Sequence, residues 1–349
     1  MDNKEINYKK ILVINLGGIG DLLLSTPALR ALKNKFSDAK ISLLVVPRAY
    51  ELVKDFAFID EVFIFHKTLR KIFKNFKVLF DLRKEHFDLA INMRTLVSKR
   101  SAREIKFLLD FIRPKIKAGR DTEGRGYFFD VKIPEKDFGE RYEMEYDINL
   151  AGLLGAEVID KNIDFKIDKT DLRKVDEILN KEGISEKDIL IGIHPGGEPS
   201  RRWPIENFAK VMININEKIS CKFVITGTIE ENNLADKLIK ITKLEAINFM
   251  GKLKIKELAA LIKRCRLFIT NDTGPMHIAA ILQTSLVAIF GPGWPARYDP
   301  RNISDKAIVL YQKVDCSPCN KVSCADLKCL KIISPKEVTD AVSKLLGLE

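Results

Sequence analysis

Short continuous apolar runs, bounded by turn residues, recur along the whole chain and alternate with amphipathic stretches. Such runs predict strands buried on both faces, as in parallel sheets, and the stretches between them predict helices. In the first half, strands are expected at 10–16, 40–46, 61–65 and 89–93, with helices at 22–36, 67–80 and 140–154. In the second half, strands fall at 189–193, 221–226, 246–250, 267–270 and 285–290, the last clear one. Helices lie between them at 205–218, at 255–264 and from Pro275 onward. A final helix at 334–346 is capped by Ser334 and closed by Gly347. This alternation implies α/β architecture, parallel sheets with helices on each face. The polar stretch 160–171 lacks an apolar period and reads as a linker. The segment 119–126, polar and glycine-containing, reads as a loop with freedom to move. The expected boundaries are 1–167, 168–332 and a terminal segment 333–349.

With 349 residues and 46% hydrophobic composition, the chain can bury two such cores. Its 59 Lys and Arg against 48 Asp and Glu give +11, which suits an anionic partner. The charge is uneven. At about 100° per residue, helix 67–80 puts Leu69, Ile72, Phe73, Phe76 and Phe80 on one side, and Lys67, Arg70, Lys71, Lys74 and Lys77 on the other. That pattern fits a core-packed helix with a solvated basic face, or a helix lying on an anionic membrane with its aromatic side dipped into the headgroups. A second basic stretch, 98–120, carries Lys99, Arg100, Arg103, Lys106, Arg113, Lys115, Lys117 and Arg120. No nucleic-acid recognition module accompanies this charge. No apolar run nears the roughly 20 residues of a spanning helix, and the opening Met1-Asp-Asn-Lys-Glu5 is not signal-like, so a cytosolic protein is expected.

The unusual loops all follow strand carboxyl ends, where parallel sheets bind ligands. After the first strand comes Gly17-Gly-Ile-Gly-Asp21, whose glycines let backbone pass close to a ligand while Asp21 lands at a helix start. Leu23 occupies the place of the third glycine of G-x-G-x-x-G. The second strand runs into Pro47-Arg48 rather than an acid, which disfavours a dinucleotide cofactor. Asn271-Asp-Thr-Gly-Pro-Met-His277 turns a strand into a helix. Its free N–H groups and positive helix end favour a phosphate, and His277 can add a donor. Cys316, Cys319, Cys324 and Cys329 are dense enough to hold a structural zinc or iron, or to pack the loop as reduced thiols. Cys221 and Cys265 read as small core residues.

The combination of Gly20-Asp21, Thr26-Pro-Ala-Leu-Arg-Ala-Leu32, His194-Pro-Gly-Gly197, Arg202-Trp-Pro204, Asn271-Asp-Thr-Gly-Pro-Met-His277 and Phe290-Gly-Pro292 resembles glycosyltransferase family 9. These are the ADP-heptose:lipopolysaccharide heptosyltransferases, and the likeness runs from about residue 10 to about 335. It implies a GT-B fold, two Rossmann-like domains facing a central cleft, with the terminal helix crossing back to the first. It also implies metal-independent, inverting transfer of a heptose from an ADP-sugar to the inner core on lipid A, with no cofactor required. Asp21 then matches the family's proposed base, or else merely caps its helix. Gly18, Gly20, Arg48 and Arg94 fall on the acceptor side.

On the donor side, the diphosphate is left to the 272–277 helix start (Asp272, Thr273, Gly274, His277), to the N–H groups of Gly196 and Gly197, and to Arg201 or Arg202. Arg201 stands where the family often has Lys, a planar fork in place of a point charge. Trp203 reads as packing. Glu230 or Glu231 matches an acid for the ribose, and the adenine is expected near Met250-Gly251. There Leu253 and Lys254 replace the usual small hydroxyl residues. Asp272 matches a residue near the sugar, or caps its own helix. The implied partners are an ADP-sugar, a lipid-linked anionic saccharide and the cytoplasmic face of the inner membrane, where the protein would be peripheral; nucleic acid is not among them. Two other readings stay open: a family member acting on another surface glycan or a protein, and a nucleotide-sugar-binding scaffold without catalysis.

Overall fold

The apolar runs become interior strands because both of their faces are covered. The computed structural model describes residues 8–66, 72–136, 138–319 and 321–348, and the chain divides into two units between Phe165 and Lys166. In the first unit, β1 (Lys10–Asn15), β2 (Lys40–Val45), β3 (Glu61–Ile64), β4 (Leu89–Asn92), β5 (Ile116–Thr122) and β6 (Val131–Glu135) form one parallel sheet. Its order is β3-β2-β1-β4-β5-β6, so β1 is central, and Ile11, Leu12, Val13 and Ile14 are wholly buried. Each such side chain stabilises the unit by about 1.5–3 kcal/mol relative to exposure.

The second unit repeats the plan. Its strands are β7 (Leu190–His194), β8 (Lys222–Ile225), β9 (Ala246–Asn248), β10 (Leu267–Asn271), β11 (Ser285–Ile289) and β12 (Ala307–Leu310). They form a parallel sheet in the order β9-β8-β7-β10-β11-β12. Counted within each unit, both sheets run 3-2-1-4-5-6, the doubly wound order. Its chain direction reverses between the first and fourth strands, and a crevice opens there at the carboxyl ends. The last helix, α14 (Pro335–Leu346), packs on α8 (Ile205–Lys218) in this unit. Asn214 Nδ2 donates to Thr339 Oγ1 at 3.1 Å and Lys218 Nζ to Ser343 Oγ at 2.8 Å. Among the described residues no helix is long and apolar enough to cross a membrane.

Four expectations are corrected. The helix expected over 22–36 is two, α1 (Ile19–Leu24) and α2 (Thr26–Lys35). Pro27 has no N–H for the carbonyl of Leu23, and Thr26 Oγ1 donates to that carbonyl instead at 2.8 Å. The stretch 119–126 is not a free loop, since 119–122 lie in β5 and Arg120 is completely buried. β12 extends the second sheet beyond 285–290.

The fourth concerns the amphipathic helix, which is α4 (Ile72–Lys84). Residues 67–71 and the side chains of Ile72 and Phe73 lie outside the described residues. α4 packs inward through Leu79 and Leu82, with Val78 against the same cluster, while Phe76 and Phe80 are 48% and 52% exposed. The aromatic side is therefore not the core side.

Candidate active site

In the first unit the reversal of strand order places the loops after β1 and β4 side by side. Asp21 comes from the first loop and Arg94 from the second, and they form an ion pair. Gly18 N–H donates to Asp21 Oδ2 at 2.6 Å, so the carboxylate does cap α1. Capping and pairing are simultaneous, and together they fix its direction at the sheet's carboxyl edge. The backbone must come this close. A Cβ on Gly17 would stand 2.7 Å from Asp21 Oδ2 and 2.8 Å from Arg94 Nε. Gly20 is buried within α1. Arg48, exposed on α3 (Pro47–Val53), brings Nη2 to 3.8 Å from where a Gly18 Cβ would be.

Behind this pair lies a polar ring that the sequence did not reveal. Arg94 Nη1 is 3.3 Å from Glu143 Oε1, on α6 (Glu143–Leu153), and Glu143 also accepts from Arg120 Nη1 at 3.0 Å. Arg120 pairs in turn with Asp147. The Ser25 hydroxyl lies 2.6 Å from Asp147 Oδ2 and 2.8 Å from the Asp21 carbonyl, closing the ring. Asn15 Nδ2 donates to that hydroxyl at 2.9 Å. Glu135 adds a carboxylate 4.0 Å from Arg120, so two guanidiniums face Asp21, Glu135, Glu143 and Asp147. Burial pulls the Arg120 guanidinium down, but Asp147, Glu143 and Glu135 outweigh it and hold it above its ordinary range. Burial pushes the Asp147 carboxyl up to about 6 against the pull of Arg120. The only sequence sign of this ring was negative: charged residues inside what proved to be strand and helix.

In the second unit the loops after β7 and β10 flank the equivalent crevice. Asn271, fully buried at the end of β10, joins them. Its Nδ2 donates to the carbonyls of Pro195 and Gly196 at 3.0 Å each, and its Oδ1 accepts from Trp203 N at 3.0 Å. Trp203 is core, as expected, with Nε1 donating to the Ile333 carbonyl at 3.0 Å.

Gly196 and Gly197 are required by close approach. A Cβ on Gly196 would meet Glu231 Oε2 at 2.5 Å. Gly197 has φ +118°, and its Cβ would meet Thr273 Cγ2 at 2.6 Å. Thr273 is the N-cap of α11 (Gly274–Ile281), and His277, buried on its first turn, packs edge-on to Tyr298.

Several assignments change here. Gly197 N–H donates to Glu231 Oε1 at 2.7 Å, so in this arrangement it is committed within the protein rather than directed at a diphosphate. Glu231 also accepts from Thr228 N at 2.9 Å and from Arg202 Nη2 at 3.0 Å. Burial works to raise this carboxyl, but the N–H groups of Thr228 and Gly197 prevail and hold it below its usual range. Glu231 is thus an internal clamp on the glycine loop, and Glu230 is the acid left exposed. Arg202 donates through Nε to the Gly197 carbonyl at 2.7 Å, so it too serves the loop. Asp272 is not the cap of α11; its carboxylate pairs with Arg201. Gly293 closes on that pair, since a Cβ there would lie 2.3 Å from Asp272 Oδ2 and 3.3 Å from Arg201 Nη1. His194, buried beneath the loop, places Nδ1 3.0 Å from Thr226 Oγ1, and burial lowers its imidazole to about 4, hence neutral at pH 7. Met250 packs under Gly227, and Gly251, at φ +68°, abuts Ile229.

The cysteine segment is built against this half-site. Cys319 N donates to the Pro292 carbonyl at 2.9 Å, and Ser317 Oγ donates to the Gly291 carbonyl at 2.9 Å. Leu330 fills the space beside Gly291, and Ser200 bonds the carbonyls of Lys321 and Val322. Cys329 is buried; burial raises its thiol, and Cys316, Cys319 and Cys324 add to the rise. The other three are exposed. Among the described residues no three His, Cys, Asp or Glu side chains stand in a ligand arrangement.

Chemically, one unit offers an oriented carboxylate beside a guanidinium, and the other offers a helix start with Arg201 at hand, suited to an anion. Two Rossmann-like units of this order are the GT-B architecture. The description "Glycosyltransferase family 9 (heptosyltransferase)" matches residues 76–330, and the chain belongs to that family; it is a glycosyltransferase. It is 28% identical to a lipooligosaccharide heptosyltransferase 2 of Campylobacter jejuni subsp. jejuni serotype O:2, over 94% of this chain and 95% of the relative. A crystal structure of a family 9 glycosyl transferase from Veillonella parvula DSM 2008 is 27% identical, with TM-score 0.78 and 99% of each chain covered. The E. coli ADP-heptose LPS heptosyltransferase II structure, 22% identical, shares the fold at TM-score 0.73, with 97% of this chain and 98% of that one covered.

Proposed function

We propose that this enzyme transfers a heptose, with inversion, from ADP-heptose to the inner core of lipopolysaccharide, with Asp21 as the general base. The observation that carries this reading is the matched placement of the two half-sites. Each unit presents its distinctive residues at the same reversal of strand order, a carboxylate in one and an anion cradle in the other. The relatives named above are heptosyltransferases of lipooligosaccharide and lipopolysaccharide. Asp21 takes the proton of the acceptor hydroxyl as that oxygen bonds to the anomeric carbon. The bond from that carbon to the diphosphate breaks, and ADP leaves with the electron pair. Arg94 and Gly18 N–H hold the carboxylate in place. The start of α11 (Thr273, Gly274), Arg201 and His277 receive the diphosphate, and no metal is needed for that step. Glu230 takes the ribose, and the backbone at Met250 and Gly251 reads the adenine.

Purified protein incubated with ADP-heptose and truncated core acceptors gains product of one added heptose by mass, and ADP raises its Tm where UDP does not. Stabilisation by UDP alone, or no product from any core acceptor, overturns the reading.

We also propose that the four cysteines hold one structural zinc or iron. The four lie between 316 and 329, Cys329 buried and the other three exposed, and Leu327 N–H donates to Cys324 Sγ at 3.5 Å. Metal analysis then finds about one equivalent per chain, and its removal by chelator loosens the Gly291–Gly293 loop and weakens ADP binding more than it lowers Tm. Metal-free protein with unchanged ADP affinity contradicts this.

A further inference from the structure

The aromatic side of α4 does not stand alone. Phe80 meets Phe111 of α5 (Lys99–Ile112) edge to face, ring centres 5.4 Å apart at 82°. Both helices follow parallel strands of one sheet and lead to the next, so both run back along it in the same direction. That contact therefore fixes their register. Phe76 and Phe107, each four residues earlier, sit one turn nearer the helix starts on the same outer side. Phe76, Phe80 and Phe107 are 48%, 52% and 66% exposed, an unusual investment of aromatic surface for a face that meets only water.

The charge around this ridge is net positive, with Arg100 Nε also paired to Glu104 Oε1 at 2.9 Å. Each helix carries four Lys and Arg, against Asp81 on α4 and Glu104 and Asp110 on α5. Arg103 and Arg100 continue the Phe107 row toward the start of α5, which lies at the carboxyl edge of the sheet just beyond Arg94. Val97, in the loop between them, is 58% exposed. Aromatic surface away from the site and basic surface toward it is the polarity of a face that dips into acidic headgroups while its reactive edge meets what stands above them.

We propose that the outer face of α4 and α5 is a docking surface for an anionic phospholipid bilayer, with Phe76, Phe80 and Phe107 in the headgroup layer and Arg100 and Arg103 on acidic lipid. This deepens the transferase reading, on which it rests, by naming the surface that meets a lipid-linked acceptor.

The test uses vesicles without any saccharide, so it is independent of transfer. Wild-type protein co-sediments with mixed phosphatidylglycerol–phosphatidylcholine vesicles, not with phosphatidylcholine alone, and salt releases it. A Phe76→Ser/Phe80→Ser/Phe107→Ser variant and an Arg100→Glu/Arg103→Glu variant each lose at least about tenfold in partitioning, with unchanged far-UV CD. Both keep wild-type kcat on a delipidated, water-soluble acceptor and show raised KM only for vesicle-borne acceptor. Equal binding to neutral vesicles, unchanged partitioning of both variants, or conversion of a dimer to monomer by the triple variant would overturn the surface. Failure on soluble acceptor in wild type would instead strike the transferase reading.

Discussion

Asp21→Asn lowers the rate of transfer by about a hundred- to ten-thousandfold while ADP stabilises the variant as it does the wild type. The amide keeps an oxygen for Gly18 N–H, so the start of α1 survives, and it occupies nearly the same volume. What it lacks is a site that can take a proton in the transition state, and the charge that pairs with Arg94. A structural role for Asp21 would lower Tm and leave kcat largely intact. A catalytic role does the reverse, with KM for the donor little changed, because the residues proposed to hold the donor all lie in the second unit. Steady-state kinetics with thermal denaturation in the presence of ADP separates the two. Retention of most of the activity would place the base elsewhere.

Arg120→Met is expected to cost the first unit about 3–5 kcal/mol, since it leaves Glu143, Asp147 and Glu135 buried against one another without their shared cation. For a unit of this size that is a fall of roughly 10 °C in its Tm. Arg120→Lys rescues little, because one ammonium cannot replace a planar fork that serves Glu143 through Nη1 and Asp147 through Nη2.

The pH dependence is specific. In the native protein Asp147 binds its proton up to about 6, above the ordinary carboxyl value of 3.8. That contribution to stability is full below the unfolded pKa and is lost as pH rises through about 6. Removing Arg120 takes away the main force holding Asp147 ionised, so the variant's deficit against wild type shrinks on acidification from neutral toward pH 5. A deficit that does not change over that range, measured by denaturant unfolding, would show that the ring is not electrostatically coupled. Activity falls with stability here, since Arg120 reaches Asp21 through Glu143 and Arg94 on one side and through Asp147 and Ser25 on the other; it is a positioning residue.

How much of this was legible varied with how local the signal was. The alternation of apolar runs located the central strands of both sheets to within a residue or two, since a strand covered on both faces has to be apolar throughout. β5 escaped because Arg120 and Asp121 break its apolar run, and the carboxylates that make a buried Arg120 tolerable come from β6 and α6. The choice between Glu230 and Glu231 could not be made from the chain alone. It turns on which carboxylate finds the Gly197 and Thr228 N–H groups, one of them more than thirty residues away in sequence. The aromatic stripe of α4 was visible as a stripe, but the helix carries two apolar sides, and periodicity does not say which one a sheet will cover.

By itself, the sequence determined the two α/β halves, the glycine loops at strand ends and the residues that carry family membership, because backbone close approach, helix starts and fully buried strands leave their marks in consecutive residues. Only the tertiary structure decided which charges are partners. Asp21 with Arg94, Arg201 with Asp272, Arg202 with Glu231 and Arg120 with its carboxylates are meetings of distant segments, fixed by strand order and by the low-dielectric interior that makes an unpaired charge too costly to keep.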